Sequence, residues 1–265
     1  MQTPPLLTDR SALIRNRARA CDNFLRDIAQ EECLDRLSLV NRTFTNPLLI
    51  GPAPAFLEKA KMVADSETLD VTQQEHDLAI HFMALHWAND PVGQIIQSTR
   101  ALRPDGLFQA VCLGGQTLHE LRASLAQAES EITGGLSPRI APMGEIRDLG
   151  ALLQRAGLAL PVADSVTIKT SYTSAFHLMH DLRKFGETNA LNARLRHPTK
   201  RSVFERCAEI YMENFAENGK IIATFEFLFL SGWAPSASQP KPLRPGSATT
   251  RLAEALKTQE TPLRD

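Results

Sequence analysis

The stretch DLAIHFMALHWANDPVGQIIQSTRALRPDGLF, Asp77–Phe108, decides the fold. Asp77–Ala84 is a run of apolar character long enough for a buried strand, and Pro91–Leu102 has the spacing of an amphipathic helix. The turn Arg103-Pro104-Asp105-Gly106 then leads into a second apolar strand at Gly106–Cys112. Strand, helix, turn and strand in that order make one α/β unit of an open sheet.

Working upstream, Met1–Thr8 reads as frayed. From Asp9 an apolar set recurs at Leu13, Ile14, Ala18, Cys21, Leu25 and Ile28, with Arg15, Arg17 and Arg19 between, and a second helical piece follows through Leu34, Leu37 and Val40. That is helical spacing, and the arginines read as a solvated face rather than a phosphate site. Pro47–Gly51 is a short strand, Pro54–Lys61 has room for about two helical turns, and Met62–Ala64 is the next strand. The segment therefore predicts one minimal βαβ unit with a right-handed crossover.

Working downstream, Gln116–Ile132 carries Leu118, Leu121, Leu125, Ala128 and Ile132 on one face, and Gly134-Gly135-Leu136-Ser137-Pro138 ends it. Gly144–Ala156 predicts a helix capped by Gly157, and Val162–Thr170 alternates as a strand. Helices near Ser174–Phe185 and Thr199–Ala216 precede a late strand at Ile222–Ser231. After Trp233 the chain is rich in Pro, Ser and Lys, with a short helix expected at Arg251–Lys257. The whole predicts a doubly wound, Rossmann-like α/β domain with a shortened N-terminal half of the sheet and added helices. The expected divisions are an N-terminal helical lid over 1–46, the α/β domain over 47–233 with a helical insertion around 116–153, and an extended tail over 234–265.

Composition narrows the function. With 43% hydrophobic and 22% charged residues and a formal net charge of −1, nothing favours nucleic acid or an acidic membrane surface. Only 6% of residues are aromatic, and no basic–aromatic patch for single strands stands out. Cys21, Cys33, Cys112 and Cys207 are scattered without a C-x-x-C pair, which suits a reducing cytoplasm and argues against a zinc site. No apolar signal core opens the sequence, and no window reaches the ~18 apolar residues of a membrane span.

Several strings resemble one family. They are Leu85-His86-Trp87-Ala88-Asn89-Asp90, Leu102-Arg103-Pro104-Asp105-Gly106 and Gly114-Gly115-Gln116-Thr117-Leu118-His119-Glu120-Leu121-Arg122. Further on come Gly135-Leu136-Ser137-Pro138, Gly186-Glu187-Thr188-Asn189-Ala190, Gly232-Trp233-Ala234-Pro235 and Pro245-Gly246-Ser247-Ala248. Together they resemble the class I S-adenosylmethionine-dependent methyltransferase superfamily. Within it they match the subfamily of the respiratory complex I assembly factor described as an arginine hydroxylase, and its bacterial relatives. The malonyl-carrier-protein methyltransferase of biotin synthesis is a more distant cousin. The resemblance implies S-adenosylmethionine as cofactor. It also implies an arginine-bearing peripheral-arm subunit of complex I as the partner that the chain acts on or escorts.

One departure matters. Val63-Ala64-Asp65-Ser66-Glu67 lines up with the family's third strand and the acid that contacts the adenine amine. The segment after Gly51 is then too short for a glycine-rich turn, a full first helix and a second strand with a ribose-binding carboxylate. Pro52 and Pro54 also donate no N–H. Such losses weaken cofactor binding by several kcal/mol, on the order of a thousandfold. The alternative is a degenerate, non-catalytic binding or assembly protein.

The resemblance puts Gly51, Asp65 and Glu67 at the cofactor; Asp65 is either the adenine-edge acceptor or a loop acid capping the next turn. His81 stands where relatives carry a small residue near the transferable methyl, and is either a general base or a structural histidine. His86, Glu120, Arg122, Glu187 and Asn189 belong to substrate-side strings, against a plain reading as caps or ion pairs. His177 and His180 with Asp181 have the spacing of two metal ligands, but no third ligand is identifiable and no metal site is expected. No Ser/His/Asp triad or P-loop is present.

Overall fold

A computed structural model describes residues 6–240, 247 and 250–258. The chain divides into two units, Met1–Pro235 and Ser236–Asp265. The first holds α1 (Arg10–Ala18), α2 (Phe24–Ser38), β1 (Pro47–Ile50), β2 (Lys61–Val63), β3 (His76–Phe82), α3 (Pro91–Ala101) and β4 (Leu102–Leu113). It continues with α4 (His119–Thr133), α5 (Ile146–Arg155), β5 (Ala159–Tyr172), α6 (Ala175–Lys184), α7 (Arg201–Phe215), β6 (Ala216–Glu217) and β7 (Lys220–Trp233). The second unit carries the short α8 (Leu252–Leu256). In the last resembling string, Pro245, Gly246 and Ala248 lie outside the described residues.

The seven-stranded sheet has the order β2-β1-β3-β4-β7-β5, with β6 beside β7. β2, β1, β3 and β4 are parallel, and β7 is antiparallel to both β4 and β5. Helices cover both faces, so the strands are apolar on both sides. On one face Leu78, Ile80 and Phe82 of β3 and Phe225, Phe227 and Phe229 of β7 meet α2, α4, α6 and α7. On the other Ala79, Phe108, Leu228 and Leu230 meet Ile95 of α3 and Leu153 of α5.

The deciding stretch folds as read. Every residue of β3 is buried. The Asp90 side chain caps α3 by accepting from the Gly93 N–H at 2.8 Å, and Pro91 sits in the first turn, where its missing N–H costs nothing. β4 starts earlier than expected: it absorbs the Arg103–Gly106 turn as an irregularity, with Asp105 at φ 64.

Three expectations are corrected. The helix expected at Pro54–Lys61 is absent, because Gly51–Ala60 is a turn-rich link. Ten residues must carry the chain from the end of β1 back to the start of β2, and a helix advances only about 1.5 Å per residue. The continuous helical spacing from Asp9 breaks at Arg19–Asn23, where the Cys21 and Asp22 N–H groups bond Lys184 O on α6 at 2.9 and 3.3 Å. Thr8 is not frayed: it is buried and bridges to Leu191, whereas residues 1–5 lie outside the described set.

The shortened half has a topological consequence. In a doubly wound sheet the second strand neighbours the first and the third lies outside it. Here the segment that matches the third strand, β2, pairs directly with β1 through Leu48–Lys61, Leu49–Met62 and Ile50–Val63. With β2 beside β1, Asp65 stands at the carboxyl end of the strand next to β1.

Candidate functional site

The carboxyl ends of β1, β3 and β4 form an edge with two sides. On the first side, Gly51 follows β1 with φ +113, and a Cβ there would collide with the Phe82 carbonyl oxygen. Its N–H donates to Val63 O at 3.0 Å. Both the space and the donor of this glycine therefore serve strand packing. Phe56 packs with its ring centroid 5.3 Å from that of Phe82, and Ala53 and Leu57 join the same cluster.

Asp65 is engaged by α1. Arg17 Nη1 donates to Asp65 Oδ1 at 2.9 Å and Oδ2 at 3.0 Å, while Arg10 Nη1 reaches Oδ2 at 3.1 Å and Arg10 Nη2 reaches the Asp65 main-chain oxygen at 2.6 Å. The Asp65 side chain is only 10% exposed. The reading of these arginines as a solvated face is thus corrected for Arg17, whereas Arg15 and Arg19 are exposed. Glu67 is exposed and accepts from Asn89 Nδ2 at 2.9 Å.

His81 is fully buried. Its Nε2 lies 2.8 Å from Gln94 Oε1, and Gln94 Nε2 donates to Ser66 O. The amide oxygen can only accept, so the ring proton sits on Nε2, and Nδ1 has no partner among the described residues. Burial pushes the His81 pKa down, with the Gln94 bond and Asp65 opposing.

Taken together, these residues do not fit S-adenosylmethionine. The glycine is used by the sheet, two prolines flank it, Phe56 packs beside it, and the one nearby acid is held by two guanidiniums.

The second side differs. A cavity of about 290 Å³ lies between α4, α6, α7 and the segments around 139–143 and 187–189, with walls that include Leu118, Leu121, Leu125, Met179, Leu182 and Phe204. Glu187 lines it, although its side chain is only 7% exposed. Trp87 Nε1 donates to Glu187 Oε2 at 2.7 Å, and His86 Nε2 lies 3.3 Å from the same oxygen. The Leu113 N–H donates to His86 Nδ1 at 3.4 Å, which leaves the ring proton on Nε2 to point at the carboxylate. Burial alone would raise the Glu187 pKa, but the His86 bond, the Arg17 charge and the Trp87 bond outweigh it and hold the carboxyl at about 2. Glu187 Oε1 has no hydrogen-bond partner among the described residues. Arg139 and Arg183 also line the cavity, and the free oxygen of an ionised carboxylate there can accept from a further donor.

Asn189 also lines the cavity; its Nδ2 donates to Pro138 O at 2.8 Å and its Oδ1 accepts from Leu191 N–H at 3.0 Å. Glu120 and Arg122 do not line it. Glu120 accepts from Thr224 N–H at 3.2 Å and from its hydroxyl, and Arg122 Nη2 donates to Gly115 O and Thr117 O, each at 3.3 Å. These two hold the Gly114–Leu118 turn against β7. Glu226 completes the anchor by accepting from Gln116 N–H at 2.9 Å, and a Cβ on Gly114 would collide with its carboxylate. His81 is not among the lining residues.

Sequence reasoning missed Arg10, Arg17, Gln94 and Glu226. The signal for the arginine pair was their seven-residue spacing, which puts both on one helix face. For Glu226 it was a lone acid inside the aromatic run Phe225-Glu226-Phe227.

The fold is that of a methyltransferase-type α/β protein. A Bacillus halodurans C-125 protein described as a candidate methyltransferase superposes with a TM-score of 0.50 at 12% identity, covering 77% of this chain and 98% of that one. No protein-family model matches the chain. In sequence it is similar to arginine-hydroxylase NDUFAF5, mitochondrial, of Danio rerio, at 38% identity over 198 residues, 74% of this chain and 61% of that protein. It is 30% identical over 183 residues to RP459 of Rickettsia prowazekii (strain Madrid E), a candidate methyltransferase, covering 68% of this chain and 78% of that one. The malonyl-[acyl-carrier protein] O-methyltransferase of Methylovorus sp. (strain MP688) follows at 29% over 201 residues, 76% of this chain and 66% of that protein. The chain belongs to the methyltransferase family of RP459, and it shares the fold of the solved Bacillus halodurans structure. It spans about three-fifths of the length of the zebrafish protein, 61%.

Proposed function

We propose that this chain is a methyltransferase-fold binding protein that escorts a peripheral-arm subunit of respiratory complex I and does not use S-adenosylmethionine. The observation that carries the reading is the contrast between the two acids at the sheet edge. Asp65, on the cofactor side, is neutralised by Arg10 and Arg17, whereas Glu187, on the other side, keeps an unpaired oxygen at an apolar cavity. A cationic side chain of the partner, such as arginine, is the natural complement to Glu187. The partner itself is taken from the subfamily resemblance.

We further place the protein in a reducing compartment, the cytoplasm. All four cysteines are free, and no helix among the described residues is long and apolar enough to cross a membrane. The zebrafish relative carries the word mitochondrial in its name.

The test is binding between the purified chain and purified peripheral-arm subunits, read by size-exclusion chromatography and biolayer interferometry. Complex formation that weakens at least tenfold with Glu187→Gln is expected. Undiminished binding by that variant, or no binding by the native chain, overturns the reading.

A further inference from the structure

We propose that α1 is a latch that locks the Glu187 segment onto Asp65, so that release of α1 loosens the wall of the cavity and admits its ligand. This regulation rests on the Glu187 cavity being the binding site.

Helix α1 has nine residues and buries only Ala12 and Leu13. A helix of that length is marginal by itself, so its order depends on what it touches. Its apolar contacts are few: Ala12 and Leu13 join a small cluster with Trp87, Ala141, Ala190 and Leu191, separate from the two cores on either face of the sheet. Polar contacts add to these and run in three directions, one of them from the N-cap Asp9 to Arg194 and Arg196 at 2.9 and 3.0 Å.

Toward the sheet edge, Arg10 and Arg17 grip Asp65, and Arg17 Nη2 also reaches Met83 O at 3.4 Å. Toward the cavity, Asn16 Nδ2 donates to Thr188 O at 3.1 Å and the Asp9 N–H donates to Ala190 O at 2.8 Å. Gly186, with φ +80, lies so close that a Cβ on it would sit 3.2 Å from Arg17 Cα. The segment that presents Glu187 and Asn189 is therefore fastened on both sides of Glu187 to one short helix.

That helix is in turn anchored by Asp65. Trp87 is packed against α1 and bonded to Glu187, so it couples the latch to the cavity. Elements with few apolar contacts and many polar ones open below the global unfolding limit. Here such opening frees the backbone of the segment that carries Glu187, whose carboxylate is held by Trp87 and His86.

The latch is followed without ligand, and arginine amide is then added as the probe of the cavity. Hydrogen exchange read by mass spectrometry is followed for residues 6–19 and 186–192 in the native chain and in Asp65→Asn. Acrylamide quenching of Trp87 is followed in a Trp233→Phe background. In the native chain, residues 6–19 are expected to exchange through a local opening, faster than β3 and β4. In Asp65→Asn both segments are expected to exchange on the order of tenfold faster while the strands stay slow, and Trp87 quenching rises.

Exchange of 6–19 only together with β3 and β4 in the native chain overturns the latch, whether or not the variant folds. Acceleration of 6–19 with 186–192 unchanged overturns it too. A latch that opens as expected, combined with no Trp87 response to arginine amide, faults the assignment of the cavity and leaves the latch standing.

Discussion

Replacing Glu187 by glutamine removes one charge and almost no volume, and the structure sets the size and the pH dependence of the result. The carboxyl is held at about 2 in the folded chain against an ordinary 4.5, a difference of about 2.5 units. At about 1.4 kcal/mol per unit, this amounts to roughly 3 kcal/mol of folding stability at neutral pH. Glutamine can still accept from Trp87 Nε1, which returns about 1 kcal/mol, so a net loss of about 2 kcal/mol is expected. The group's folded pKa is depressed, so its stabilisation is complete above pH 4.5 and disappears as pH falls through about 2. Urea unfolding of both proteins between pH 7 and pH 2.5 is the assay. The gap between them should be widest at neutral pH and close steadily below pH 4.5. Equal stabilities at pH 7, or a gap that does not depend on pH, would refute the description of Glu187 as an ionised, hydrogen-bonded carboxylate.

Three further predictions follow from the same geometry. Gly51→Ala forces a Cβ against the Phe82 carbonyl at a left-handed backbone position; it should cost about 2 kcal/mol or more in denaturant unfolding, although no cofactor contact is involved. Cys112 and Cys207 are pushed up to about 12 by burial, and Cys33 likewise, whereas Cys21 is exposed. A thiol reagent at pH 8 should label one cysteine per native chain rapidly, and peptide mapping should find it at Cys21. Arg122→Met removes both bonds to the Gly114–Leu118 turn and should cost about 1–2 kcal/mol while Trp87 fluorescence barely changes; a large Trp87 change would place Arg122 in the cavity instead.

Most of the sheet was legible because local pattern and tertiary role agree. β3 is an apolar run buried on both faces, α3 carries its own cap at Asp90, and β7 alternates its aromatic and aliphatic residues between two cores. The failures share a cause, which is dependence on distant partners. Nothing local in Pro54–Lys61 says that the link must span a strand's length in ten residues, and nothing local moves β2 next to β1. The break between α1 and α2 is set by Lys184, over 160 residues further on.

The site was legible in part. Glu187 and Asn189, picked from a resembling string, do line the cavity; Glu120 and Arg122, from another, hold the turn beside it. The union of Asp65 with Arg10 and Arg17 joins residues about 50 positions apart, and periodicity alone could only say that the two arginines share a face.

The proposed function requires a cofactor half that no longer binds S-adenosylmethionine beside an opposite cavity that still takes a ligand. Calorimetric titration with S-adenosylmethionine and S-adenosylhomocysteine tests it most directly, using protein shown to be folded by circular dichroism. No binding heat up to millimolar ligand is the predicted result. Binding at micromolar strength, about −8 kcal/mol, would contradict the claim and return the chain to the working methyltransferases.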